Sequence, residues 1–234
     1  MKRNLRFAAI IFVATVATHA SAGTVFDTTT SWDGSSGIST FGNPDTATYG
    51  QTFVAPSGAL DDFTFYLNGE VGVSLSMKAF VWSWSGPLQG NGGQATGAPL
   101  YLSSTSIPFS GTGAYQAITI DTGGVTLTPG SDYVIGLTIS DPADYAASSG
   151  VTSWGAVLFQ HPANDGGGGF VFYNMSEGGT FSALNTSVWD TFGDFGDVAF
   201  KADFSGGTVP EPAAISLIVL GFGSLSLFRA FRRR

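Results

Sequence analysis

Hydrophobic residues recur at every second position in four stretches of the chain. Residues 59–67 set Phe63, Phe65 and Leu67 on one face. Residues 72–84 set Val73, Leu75, Met77, Ala79 and Val81 against Ser74, Ser76, Lys78, Phe80, Trp82 and Trp84. Residues 133–139 place Tyr133, Ile135, Leu137 and Ile139 together. Residues 197–204 place Val198, Phe200, Ala202 and Phe204 against Ala199, Lys201 and Asp203. A period of two predicts β-strands with one buried face. Shorter runs at 51–54, 99–103, 114–121, 124–128, 155–160 and 169–174 predict further strands, about nine to eleven in all. Turn residues separate them, as in Asp121-Thr122-Gly123-Gly124 and Pro129-Gly130-Ser131-Asp132. Residues 91–97 and 164–169 read as glycine-rich loops. No helical period longer than two turns interrupts the series. The expectation is an all-β domain over residues 23–204, an antiparallel β-sandwich or jelly roll.

Both ends depart from this pattern. Lys2, Arg3 and Arg6 precede an apolar run over 7–17, and Ala20-Ser21-Ala22 offers small residues before Gly23. Residues 1–22 therefore read as a secretory signal peptide, cleaved by signal peptidase between Ala22 and Gly23. At the other end, residues 205–209 read as a flexible linker. Pro210-Glu211-Pro212 follows, stiff because each proline fixes φ and restrains the residue before it. Residues 213–228 carry no charge, and Arg229, Arg232, Arg233 and Arg234 close the chain. A helix over that run would be about 24 Å long, short for a ~30 Å hydrocarbon core but sufficient with snorkelling arginines. The arginines predict a cytoplasmic stop.

A Pro-Glu-Pro segment, an apolar helix containing Gly221 and Gly223, and a terminal basic cluster occur here in fixed order. In this the tail resembles the PEP-CTERM sorting signal of Gram-negative bacteria. The resemblance covers about the last 26 residues. It implies recognition by an exosortase, a membrane protease-transpeptidase. It also implies passage from an inner-membrane-anchored precursor towards the cell surface or extracellular matrix, commonly beside exopolysaccharide systems. The passenger domains of that family are varied, so the resemblance supplies no activity.

Charge narrows the choice. Lys78 and Lys201 are the only basic residues between Gly23 and Thr208, where all of the 17 acidic residues except Glu211 lie. Such a surface repels phosphate backbones, which excludes a nucleic-acid partner. The chain has no cysteine, so disulfides, thiolate chemistry and cysteine-bound zinc are excluded.

Candidate chemistry is sparse. His161 is the one histidine outside the predicted signal peptide, and it opens a His161-Pro162 loop without a hydrolase motif around it. A histidine-rich metal site is excluded by count. No catalytic residue is expected. Calcium is the one ion suggested, with Asp190, Asp194 and Asp197 gathered before the last strand, and Asp141 and Asp144 flanking Pro142. Aspartates of this kind also serve turns without any ion. Phe80, Trp82 and Trp84 share a strand face, either as core or as a flat strip on which sugar rings stack. Isolated threonines without a repeat disfavour ice binding. The expected function is an exported, non-enzymatic surface or matrix protein, with polysaccharide as candidate ligand. The alternatives are a carbohydrate-active enzyme on the same sandwich and a purely structural or adhesive matrix protein.

Overall fold

Val198, Phe200, Ala202 and Phe204 turn inward, as their alternation requires, and all four are buried. A computed structural model of the protein describes residues 23–206, apart from Ser57, residues 175–179 and Asp194. The expected signal peptide over 1–22, residues 207–209 of the linker, and the sorting tail over 210–234 lie outside the described residues. Among the described residues no helix is long and apolar enough to cross a membrane.

Thirteen strands, one short α-helix and a 3-10 turn succeed one another among the described residues. They are β1 (Thr24–Asp27), β2 (Gly37–Asn43), β3 (Thr48–Val54), β4 (Ala59–Asn68), β5 (Ser74–Ser85), β6 (Gln94–Leu102), β7 (Ile107–Ser110), β8 (Tyr115–Thr126) and β9 (Asp132–Thr138). After α1 (Pro142–Ala147) come β10 (Gly150–Leu158), β11 (Phe170–Tyr173), β12 (Gly196–Val198) and β13 (Phe200–Ser205). They make two antiparallel sheets. One runs β1-β13-β4-β10-β12, with β2 also on β10 and β8 also on β4. The other runs β11-β3-β9-β5-β6, with β7 also on β5. The fold is all-β and sandwich-like, as the alternation predicts.

Side chains from both sheets fill the space between them. Phe65 and Phe200 face across the β4–β13 register, and Phe63 faces Ala202. Trp154 of β10 meets Tyr49 of β3 edge-on, their ring centroids 5.4 Å apart, and Phe53 of β3 meets Phe204 at 5.8 Å. Aromatic pairs at these spacings add to the free energy of burial itself. β13 lies between two neighbours, pairing with β1 from Thr24↔Phe204 to Asp27↔Lys201 and with β4 on its other side.

Three details differ from the expectation. First, residues 121–124 do not turn the chain. β8 runs through them, and its Thr122, Gly123 and Gly124 bulge opposite the single Asp61 of β4, where the register shifts between Leu60 and Asp62. Second, residues 94–97 belong to strand β6 rather than to a glycine-rich loop. Third, the last strand is split at Ala199, whose N–H leaves the ladder for Gly155 O at 2.6 Å.

Candidate functional site

Phe80, Trp82 and Trp84 point away from the main core yet are only 0%, 1% and 6% exposed. Strand β5 is therefore buried on both faces from Phe80 to Trp84. A 3-10 turn over Phe181–Ala183, followed by Leu184 and Trp189, lies over its outer face. Trp82 packs 5.2 Å from Phe181, and Trp84 meets Trp189 edge-on at 5.6 Å. The indole N–H of Trp189 donates to Leu184 O, and that of Trp84 to Pro87 O. These rings form a second core and leave no open strip for a sugar.

The aspartates expected to gather around calcium are also distributed differently. Asp190 is exposed, and its carboxylate accepts the Thr191 N–H at 2.8 Å. Asp194 lies outside the described residues. Asp141 caps the short α1 by accepting from Ala143 N, and Asp144 is buried, accepting from Ser76 Oγ. Asp197 faces inward and is fully buried.

Asp197 instead meets two residues from the loop between β10 and β11. One potential ligand atom each from His161, Asp165 and Asp197 lies within 4.8 Å of the others. His161 Nδ1 is 3.3 Å from Asp197 Oδ2 and 3.8 Å from Asp165 Oδ2. Asp165 is 4% exposed, while the His161 side chain retains 23% and forms the rim towards solvent.

Local chemistry explains how each group reaches this place. The loop is fastened to β3: Thr52 N donates to Gly169 O, Gly169 N to Thr52 Oγ1, and Val54 N to Gly166 O. Gly168 lies against the Thr52 carbonyl so closely that any Cβ would overlap it. Asp165 closes a turn through its N–H to Pro162 O, and its Oδ1 accepts the Gly167 N–H at 2.6 Å. Asp197 sits in β12 opposite Val157 of β10. Its Oδ1 accepts from Gln51 Nε2 of the other sheet at 2.6 Å, and Gln51 Oε1 accepts the Val198 N–H at 3.1 Å. One oxygen of each carboxylate is thus held by the protein, and the other is turned to the common centre.

Burial pushes the Asp197 carboxyl up to about 8, and the nearby Asp165 carboxylate adds to the rise; the Gln51 amide and His161 oppose it. Desolvation disfavours the charged form, and a second anion disfavours it further. Two enclosed carboxyl groups and an imidazole can share a proton or hold a cation.

The same two loop segments present aromatic rings outward. Phe159 is 71% exposed and Phe192 52% exposed. Phe159 has φ +58°, a left-handed conformation that a bulky side chain rarely adopts. Its N–H donates to Phe195 O at 2.9 Å, which fixes it there. Phe195 contacts the rings of both Phe159 and Phe192 at 5.4 Å, and Phe192 stacks on Phe172 at 4.6 Å. The sequence assigns neither ring a role: Phe159 falls at the end of the strand-like run over 155–160, and Phe192 in no repeating pattern. Comparison of the chain with protein-family models, with curated proteins and with solved structures finds no match.

Proposed function

We propose that this chain is an exported, non-enzymatic protein of the bacterial cell surface or extracellular matrix, sorted through its C-terminal tail and binding polysaccharide with its folded domain. The signal-peptide pattern with Ala20 and Ala22, the Pro210-Glu211-Pro212 segment, the apolar run and the terminal arginines support the sorting part. On this reading an exosortase processes a membrane-held precursor. The architecture is read as a jelly roll, because β3, β5, β9 and β11 lie in one sheet and β4, β8, β10 and β12 in the other. Each of those connections crosses between sheets.

One contrast carries the binding part. The clustered ionisable groups are closed in while the rings beside them are open. A glycosidase needs two carboxyl groups about 5–10 Å apart with sugar between them. Asp165 and Asp197 are too enclosed to receive a glycosidic bond. Phe159 and Phe192 offer apolar faces to solvent, as stacking on a sugar ring requires. The purely structural or adhesive alternative needs no such rings.

The test has two arms. Mass spectrometry of the surface-localised protein, with and without the host exosortase, should find the tail removed only when the enzyme is present. Affinity electrophoresis in gels containing the host exopolysaccharide should retard the full-length protein, and Phe159→Ala/Phe192→Ala should migrate freely. Equal retardation of that double variant would refute the ring-stacking reading.

A further inference from the structure

The geometry points to a divalent transition-metal site, of which zinc is the natural occupant, formed by His161, Asp165 and Asp197. It clips the β10–β11 loop to strand β12. This inference does not depend on sugar binding.

Three observations converge. The donor set is mixed, one imidazole nitrogen and two carboxylates. Zinc accepts both at about 2.0–2.2 Å, so its ligands stand roughly 3.0–3.6 Å apart. The separations from His161 Nδ1, 3.3 Å to Asp197 and 3.8 Å to Asp165, approach that range. Calcium instead takes six to eight oxygens at longer distances, and this cluster offers two carboxylates and a nitrogen.

The second observation concerns the carboxylate oxygens facing the centre. Asp165 Oδ2 and Asp197 Oδ2 are buried and accept no hydrogen bond. Their residues are 4% and 0% exposed. Buried acceptors are normally satisfied, and these two carboxyl oxygens make no hydrogen bond, His161 Nδ1 standing 3.3 Å from that of Asp197 and 3.8 Å from that of Asp165. A cation between them resolves both the missing partner and the mutual repulsion.

The third is the outer layer. Gln51 Nε2 holds Asp197 Oδ1, and the Gly167 N–H holds Asp165 Oδ1. Ligating carboxylates characteristically have the far oxygen fixed in this way, which aims the near one. The His161 side chain keeps 23% of its surface exposed, and a metal held there would complete its coordination with water. The competing occupant is a proton shared by the two carboxyl groups.

The test uses full-length protein stripped with a chelator. Calorimetric titration with zinc should show a site that His161→Ala and Asp165→Asn each weaken by at least about tenfold. Cobalt(II) should give visible absorption bands that His161→Ala abolishes. At zinc about a hundredfold above Kd, the unfolding midpoint should rise by roughly 5–10 °C. Asp197 is fully enclosed and its replacement risks misfolding, so the half-open His161 is the decisive position. No zinc response would assign the centre to a shared proton and overturn the proposal. Zinc binding unchanged in His161→Ala, or calcium bound as tightly by the same residues, would overturn it equally.

Discussion

Gln51 spans the two sheets to hold Asp197: its Nε2 donates to Asp197 Oδ1 at 2.6 Å while its Oε1 accepts the Val198 N–H at 3.1 Å. Both groups it satisfies are buried. Gln51→Leu keeps the volume but strands a carboxylate oxygen and a backbone donor. The expected loss is about 2–5 kcal/mol, read as a lower urea midpoint with an unchanged slope. A loss below about 0.5 kcal/mol would mean water replaces the amide at no cost.

A row of aspartates crosses the seven-stranded sheet, since Asp62 of β4 faces Asp203 of β13 on one side and Asp121 of β8 on the other. Burial raises the Asp62 carboxyl above its ordinary value of 3.8, and the charges of Asp203, Asp61 and Asp121 raise it further. A carboxyl raised in the folded state costs stability above that raised value, and the cost disappears once pH falls below the unfolded value. Asp62→Asn should therefore stabilise at neutral pH, by roughly 0.2–1 kcal/mol for each cross-strand repulsion removed. The gain should shrink towards zero as pH falls below about 4. Thermal melts from pH 8 to pH 3 check the sign, and a gain that grows on acidification would contradict it.

Gly196 has φ +92°, and a Cβ there would press on Val157 O and stand 2.8 Å from Phe159 N. Gly196→Ala should cost about 1–3 kcal/mol. Because Asp197 follows directly, the loss should appear together with exchange of the Val198 amide, measured by hydrogen–deuterium exchange. A neutral substitution would show that the turn at the end of β10 yields easily.

Phe159 combines an unfavourable backbone conformation with an exposed ring. Asparagine tolerates the left-handed region far better than phenylalanine. Phe159→Asn should stabilise the fold by about 0.5–1 kcal/mol and at the same time abolish retardation in polysaccharide gels. Stabilisation with retardation intact would leave the ring without a binding role.

The alternation of residues 59–67, 133–139 and 198–204 was enough to place β4, β9 and β13 and to orient their inward rows, because period-2 burial is a local property. β1, β2 and β7 escaped notice. Their runs are short, and their pairing with distant strands supplies what local pattern lacks. The outer face of β5 could be read as core or as strip until its cover was known. That cover is Leu184 and Trp189, two apolar residues in a stretch rich in Ser, Thr and Asn with no period of its own. The centre at His161 was illegible for a related reason. Its members come from a loop and a strand far apart in sequence that the β10–β12 pairing brings together, and a single histidine carries no spacing motif. The Asp197 member was visible, but grouping it with Asp190 and Asp194 followed nearness in sequence, whereas the fold turned its side chain inward.

β13 is held on both sides, by β1 and by β4, and Ser205 is its last residue. A pull applied beyond Ser205 therefore enters the domain through an interior strand. An edge strand can be peeled one hydrogen bond at a time. Freeing β13 breaks two ladders together and draws Phe200, Ala202 and Phe204 out of the core. Force entering through that end would meet two hydrogen-bonded ladders at once, where an edge strand would offer one.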